Sequence, residues 1–429
     1  MLNSSPLTHA EFAGLMTDLG PFPNPPVMAV GVSGGPDSMA LALLLADWGK
    51  DHGGRLIALT VDHGLRPESR AEAEQVGRWL GERGIDHRIL SWDGTKPQTA
   101  VQAAARQARY KLMGEWCRHN RVSYLAVAHQ LDDQAETFLL RLRQGSGLDG
   151  LAAMAVQRRD GDLRLIRPLL SVCRSRLTAF LDERGQPFVT DPSNRNPRYE
   201  RVRLRRLIAD LGLPVAAIAQ TAEVLGRARR GMEALVDHAE RLLASRHPWG
   251  FAVVDGRGLA ELPTEVGMRL LSRLVRQIGG RAYPPRSERL ERLLAAGAGT
   301  LAGCRVIPKP NGTLLICREN RDLEPSKPLV PGGRVVWDGR FVVLAAPDCP
   351  PGATVGALGA DGWMQVRNIR PMTVSASVRA GLPAVWIGGK VVSLPDLPDK
   401  SLDNACIFRE CDYFSIEALG YSRAASERG

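Results

Sequence analysis

Cysteine is scarce in this 429-residue sequence, and its seven residues (Cys117, Cys173, Cys304, Cys317, Cys349, Cys406 and Cys411) include no Cys-x-x-Cys. So odd and scattered a set excludes a disulfide scaffold and a four-thiolate zinc site, and fits a reducing compartment. Long apolar runs are missing too: no stretch approaches about 18 uninterrupted apolar residues. Residues 1–26 lack the basic start and apolar core of a secretory signal. The expected location is the cytoplasm, with no membrane association. Nor is there an internal repeat or low-complexity tract, which excludes a repeat architecture.

What is present is ordinary globular material, 44% hydrophobic and 24% charged. A chain of 429 residues exceeds what one hydrophobic core organises, so two or three domains are expected. The formal charge of +10 would draw a polyanion toward the surface, and nucleic acid is the natural candidate.

Short apolar runs bounded by Gly, Asp or His at 27–32, 56–62, 87–90 and 123–128 predict buried strands. Helical stretches at 38–48, 68–83, 98–120 and 132–144 alternate with them. The pattern is that of an α/β domain with a doubly wound parallel sheet, whose ligands bind beyond the carboxyl ends of the strands. We assign residues 1–213 to this domain. Residues 214–324 form a mainly helical second domain, with apolar residues at helical spacing in 218–243 and 266–278. It carries a strand-like run at 251–255 and a terminal hairpin about Pro310-Asn311-Gly312. Residues 325–333, rich in Pro and Gly, read as a linker. Residues 334–429 alternate apolar runs (335–346, 384–392) with turns and predict a small mixed or β module.

The first strand runs directly into Ser33-Gly34-Gly35-Pro36-Asp37-Ser38 and then a helix. Glycines permit a tight turn and close approach of a ligand, and a helix start points free amides toward an anion. The loop lacks the lysine of a Gly-x-x-x-x-Gly-Lys-Ser/Thr phosphate loop, so γ-phosphate transfer of that type is not indicated. A plain strand-to-helix turn capped by Ser33 is the bland alternative. After the second strand stand His63 and Arg66, able to donate to a nucleotide or simply to sit in a surface turn. After the fourth comes His129-Gln130-Leu131-Asp132-Asp133-Gln134-Ala135-Glu136. Asp133 and Glu136, three apart at a helix start, share one face and make a carboxylate pair for a cation, either Mg²⁺ or an amine. Asp132 is the expected helix cap. Between residues 158 and 206 there are 13 arginines against six acidic residues, a density that suits a phosphate-tracking surface. Phe188 and Tyr199 lie there as candidate stacking residues, with ordinary packing as their alternative.

The six-residue loop resembles the pyrophosphate loop, Ser-Gly-Gly-x-Asp-Ser, of the N-type ATP pyrophosphatases. Four further stretches resemble the tRNA(Ile)-lysidine synthase family specifically: His63-Gly64-Leu65-Arg66, Ala105-Arg106-Gln107-Ala108-Arg109-Tyr110, Asp132 to Thr137 running into Arg141 to Gly147, and Ile166-Arg167-Pro168-Leu169-Leu170. The likeness continues through Asp191-Pro192-Ser193-Asn194 to Arg201, Arg203 and Arg205, and covers residues 27–207 closely. Val202 departs from it, standing where the family commonly carries Asn. A stretch from Arg379 to Val385 looks like the family's C-terminal module, with less specificity.

The resemblance implies an adenine nucleotide alpha hydrolase-like fold. It implies an AMP-forming ligase in which ATP adenylates the C2 carbonyl oxygen of the wobble cytidine in an isoleucine tRNA with a CAU anticodon. Free lysine then displaces AMP through its ε-amine. Ser33, Gly34, Gly35, Pro36, Asp37 and Ser38, with His63, Arg66, Arg106 and Arg109, would bind ATP, and Asp37 would help place Mg²⁺. Asp133 and Glu136 would bind lysine, and Arg201, Arg203 and Arg205 tRNA. Asp37, Asp133, Glu136 and Arg205 would form the catalytic set. The second and third domains would contact tRNA. No protein partner is expected, and a homodimer stays open. A sulfur-transferring tRNA thiolase of the same superfamily is the nearest rival, but it usually needs a nucleophilic or cluster-binding cysteine set, and Cys117 and Cys173 lack paired spacing. Amide-forming enzymes of small molecules would not need the arginine-rich segment. A nucleotide-sensing tRNA-binding protein without catalysis would not need Asp37, Asp133 and Glu136.

Overall fold

The computed structural model describes residues 5–94, 96–97, 99, 101–189, 200–368, 375–395 and 414–419. Asp191 to Asn194, Tyr199, Cys406 and Cys411 lie outside them, as does Gln98, the expected start of the third helix. The chain divides into two compact units, Met1–Arg230 and Gly231–Gly429.

The first unit opens with α1 (His9–Leu19), whose start is fixed by a reciprocal capping box between Thr8 and Glu11. Strands and helices then alternate: β1 (Val27–Gly31), α2 (Pro36–Asp51), β2 (Arg55–Asp62), α3 (Ser69–Glu82), β3 (Asp86–Ser91), α4 (Val101–His119), β4 (Tyr124–Val127), α5 (Leu131–Arg143) and α6 (Leu148–Leu151). A hairpin of β5 (Gln157–Asp160) and β6 (Leu163–Ile166) leads to α7 (Arg174–Glu183), α8 (Glu200–Asp210) and α9 (Val215–Leu243), whose residues from Gly231 on belong to the second unit. Among the described residues the sheet order is β3-β2-β1-β4-β6-β5. All pairings are parallel except that of β5, an antiparallel edge.

Period-two alternation decides which helices cover which face. Met28 and Val30 of β1 join the core formed with α1, α2, α3 and α7, while Ala29 joins Met113 and Cys117 of α4 on the other side. Helix α2 is packed against α1, α7 and the sheet, and it is buried almost all round, from Ser38 to Leu45 and again at Trp48. That immobilises its first turn. One expectation fails: the run at 87–90 is not buried, because β3 is the edge strand and none of its residues is fully covered.

The chain leaves β1 toward β2 and β3, then returns to place β4 on the other side of β1. The β1–β4 boundary is thus the topological switch point, where the loops after the two strands leave in opposite directions and where sheets of this kind take their ligands.

The second unit contains β7 (Ala244–His247), β8 (Phe251–Asp255), α10 (Gly256–Glu261), α11 (Thr264–Ile278), α12 (Ser287–Ala296), β9 (Gly299–Leu301), β10 (Cys304–Pro308) and β11 (Thr313–Arg318). Its first sheet runs β7-β8-β11-β10-β9. The apolar stripe of α11 (Val266, Leu270, Leu274 and Ile278) packs on it. The expected hairpin is the β10–β11 pair, with Asn311 Oδ1 accepting from the Thr313 amide at 3.2 Å. There follow β12 (Lys327–Pro328), β13 (Arg334–Trp337), β14 (Phe341–Ala345), β15 (Thr354–Ala357), α13 (Gly359–Val366), α14 (Ala376–Arg379), β16 (Pro383–Ile387), β17 (Lys390–Ser393) and β18 (Phe414–Ala418), forming the sheets β12-β15-β16-β17 and β13-β14-β18. Segment 325–333 is more than a linker: it supplies β12, which pairs with β15.

Candidate active site

The loop after β1 is built by its own side chains. Ser38 Oγ accepts from the Ser33 amide at 3.1 Å, donates to Gly35 O at 2.9 Å and lies 3.2 Å from Ser33 Oγ. The helix cap is Gly35 rather than Ser33, and no side chain caps it. Pro36 takes the first helical position, where its missing N–H costs nothing. The first-turn amides of α2 are therefore free of a side-chain acceptor and available to an anion. Gly34 sits at φ +84°, and a Cβ there would lie 2.8 Å from Val76 and 3.0 Å from Val189, so only glycine fits.

Asp37 projects from the first turn of α2 and is bound by Arg174 of α7, whose Nη2 donates to Oδ2 at 2.9 Å. The other carboxylate oxygen, Oδ1, is buried without a partner. Burial pushes the Asp37 carboxyl above its usual range; Arg174 opposes the shift, and nearby Asp133 and Asp132 add to it. Among the described residues no group of three or more His, Cys, Asp or Glu is placed to hold a metal. A carboxylate with one buried oxygen that lacks a hydrogen-bond partner, set in the first turn of a helix that no side chain caps, nevertheless fits Mg²⁺, which takes one or two carboxylates and fills its shell with water and phosphate oxygens.

Helix α5 begins at the far side of the switch point. Its cap is Gln130, not Asp132: Gln130 Oε1 accepts from the Asp132 amide, and Asp133 Oδ2 accepts from the Gln130 amide at 3.2 Å. Asp132 instead accepts from the Arg174 amide at 3.1 Å, tying the start of α7 to that of α5. Asp133 and Glu136 share a helix face as their spacing requires, and both are buried. Neither is an open carboxylate: Arg205 of α8 binds Glu136 through Nε and Nη2, and Arg201 and Arg205 each stand 3.9 Å from Asp133. Burial raises the Glu136 pKa, and Arg205 works against that.

A second group surrounds two histidines. Arg109 Nη2 donates to His63 Nε2 at 3.4 Å, and Arg106 Nη2 to His129 Nε2 at 3.3 Å. Burial first, then the neighbouring arginines, lowers His63 to about 4 and His129 to about 3, so both rings are neutral. His129 feels Arg201 as well as Arg106, Arg109 and Arg167, which links this group to the acidic one. Arg66 turns elsewhere, to Glu72 at 2.9 Å. Arg203 is exposed on α8, whereas Val202 beside it is buried. Sequence reasoning passed over Arg174, His129 and the buried Arg167. His129 and Arg167 stood in quoted motifs, but Arg174 was one arginine among thirteen and had no local mark.

Comparison with known proteins agrees with this geometry. The PP-loop domain family matches residues 9–211. The tRNA(Ile)-lysidine synthase of Ruegeria pomeroyi is 38% identical over 375 residues, covering 86% of this chain and 88% of that protein. The enzyme of that name from Bradyrhizobium sp. strain BTAi1 is 44% identical over 70% of this chain and 86% of its own. The one from Wolbachia pipientis wMel is 36% identical over 86% and 88%. With identity of this order sustained along most of both chains, and with the glycine loop Ser33 to Ser38 at the switch point of the sheet, the chain belongs to the tRNA(Ile)-lysidine synthase family.

Proposed function

We propose that this ligase uses ATP to attach lysine to C2 of the wobble cytidine in an isoleucine tRNA with a CAU anticodon, changing the codon read from AUG to AUA. The observation that carries the reading is the line of charged groups, Asp37–Arg174 and Asp133–Glu136–Arg205, set beside an uncapped glycine loop at the switch point. Family membership supplies the reaction class.

In this scheme the loop from Ser33 to Ser38 receives the β- and γ-phosphates on those amides that its own side chains leave free, with His63, Arg106 and Arg109 completing the nucleotide contacts and Arg66 joining them on release from Glu72. The C2 carbonyl oxygen of the cytidine attacks the α-phosphorus, and the α–β bond breaks with its electron pair on pyrophosphate. Mg²⁺ held by Asp37 and phosphate oxygens would screen that charge. The lysine ε-amine, which must arrive unprotonated to act as a nucleophile, then adds to C2, and AMP departs with the former carbonyl oxygen. Asp133 and Glu136 attract the lysine cation, sharing their charge with Arg205. Arg201, Arg203 and Arg205 face tRNA phosphates, as do groups in 214–324 and 334–429. The scheme requires no protein partner and no membrane, and a cytoplasmic setting suits it; among the described residues no single helix is long and apolar enough to cross a bilayer.

The test is incubation with ATP, Mg²⁺, labelled lysine and an isoleucine tRNA transcript bearing CAU. ATP-dependent entry of label into that tRNA is expected. Entry of sulfur from a sulfur donor, with no lysine incorporated, would overturn the reading. The thiols argue against that outcome: Cys117 and Cys173 are both buried, and burial pushes Cys117 up to about 12.

A further inference from the structure

The ion pair at the start of α2 is made with only one of its two possible bonds. Arg174 Nη2 meets Asp37 Oδ2, while Arg174 Nε and Asp37 Oδ1 are both buried and both lack a hydrogen-bond partner. A guanidinium and a carboxylate whose sole task was mutual neutralisation would gain a second parallel N–H···O bond from the fork geometry. Each buried polar atom left without a partner instead carries an uncompensated desolvation cost. The two orphans are of opposite kind. Oδ1 is an acceptor with negative charge, suited to a cation; Nε–H is a donor with positive charge, suited to an anion. Both belong to one ion pair, whose carboxylate stands in the first turn of α2 directly after the glycine loop.

The pair is also held rigidly. The Arg174 amide is fixed on Asp132 Oδ2 at 3.1 Å, and α7 packs along the buried helix α2. Although burial disfavours its charge, Asp37, Asp133 and Asp132 keep Arg174 protonated, above the ordinary arginine value. Fixed, charged donors aimed at the place where charge develops stabilise a leaving group without reorganisation.

We propose that Arg174 is a direct ligand of the pyrophosphate leaving group, its Nε–H donating to a phosphate oxygen while Nη2 stays on Asp37. One arginine then ties the leaving group to the carboxylate that carries its metal. No bond is made or broken at Arg174. It adds positive charge where the electron pair of the broken α–β bond arrives. The inference rests on the reading that Ser33 to Ser38 hold the pyrophosphate.

Inorganic pyrophosphate is the probe, titrated calorimetrically into the full chain without tRNA or lysine, once with Mg²⁺ and once with EDTA. Arg174→Lys retains a cation for Asp37, but its single nitrogen cannot also stand at the Nε position. We expect it to weaken pyrophosphate binding by roughly tenfold, as for a lost charge-assisted bond, in both conditions. Wild-type affinity in the Lys variant would overturn the proposal, since Arg174 would then only neutralise Asp37. A loss confined to the Mg²⁺ titration would overturn it too, because Arg174 would be acting through the metal on Asp37. A thermal midpoint near that of the wild type certifies the fold of the variant; should it fall, Arg174→Gln replaces it under the same two criteria. Ser38→Ala separates the levels. If it weakens pyrophosphate binding while Arg174→Lys does not, only the Arg174 assignment fails. If neither variant weakens it, the loop reading fails as well.

Discussion

Arg205 Nη2 stands 3.4 Å from Glu136 Oε2 and 3.9 Å from Asp133 Oδ1, so one guanidinium on α8 serves both buried carboxylates of α5. Glu136 is fully buried, whereas the Arg205 side chain is 31% exposed. Removing the arginine would leave Glu136 uncompensated in a desolvated position, and its carboxyl, already raised by burial, would rise further. The full penalty of a broken buried pair, about 3–5 kcal/mol, must be reduced because Arg205 is partly solvated. Arg205→Ala should therefore lower stability by about 2 kcal/mol, and Arg205→Ala/Glu136→Gln by less than the two single changes added together. Urea unfolding of the four proteins measures this; strictly additive effects would show that the contact carries no energy.

Gly34 offers a cleaner separation of strain from chemistry. At φ +84° a residue with a Cβ is strained by about 1–2 kcal/mol, and the Cβ would in addition press on Val76 at 2.8 Å. Gly34→Ala should destabilise the first unit by about 2–4 kcal/mol, strain and overpacking together, and abolish ATP-dependent pyrophosphate release. Adding Val76→Ala removes one clash but not the dihedral strain. Part of the stability should return while the activity does not. Full recovery of both would mean that the crowding, not the left-handed backbone, is what glycine relieves.

The parallel sheet was legible because buried strands are short apolar runs punctuated by Gly, Asp and His, and because the motifs follow strands one, two and four. The shared face of Asp133 and Glu136 follows from helix geometry alone. Long-range partners do not. Arg174 meets Asp37 from 137 positions away, through the packing of α7 on α2, and no local pattern announces that. Arg66 is claimed by Glu72, six residues on, once α3 forms. Asp132 loses the cap to Gln130 because α7 brings an amide to it. The segment 325–333 has the composition of a linker, yet Lys327 and Pro328 find backbone partners in β15, which lies beyond any local window.

Asp338 holds together the second unit. It accepts from Arg318 at 2.9 and 3.1 Å and from Arg340 at 2.7 Å, and all three residues are buried. Two cations therefore depend on one carboxylate, whose φ of +52° Asn also tolerates. Asp338→Asn keeps the shape and removes the charge, and should cost about 3–5 kcal/mol as two buried arginines lose their counter-ion. The unfolding midpoint of the second unit, followed through the buried Trp337, should fall accordingly. A change under about 1 kcal/mol, the scale of an exposed pair, would refute the dependence.

The two histidines predict how stability responds to acid. Burial and then Arg109 hold His63 down to about 4, while burial and then Arg106 hold His129 down to about 3. Released into the unfolded chain, both take up protons near the ordinary histidine value of about 6.5. Between pH 6.5 and 4 the unfolded state thus binds more protons than the folded one, and linkage requires stability to fall as the pH falls. The contribution is fully present above 6.5 and is lost toward the folded values. Replacing both rings, His63→Gln with His129→Gln, removes these groups from the balance. In the double variant each glutamine Oε1 can still accept from Arg109 or Arg106 but cannot take up a proton, so it should lose less stability between pH 7 and 5 than the wild type does. Urea midpoints at half-unit pH steps give both slopes. Equal slopes would mean that the protons taken up on acid unfolding belong to other groups, and that burial and the neighbouring arginines do not keep the rings neutral.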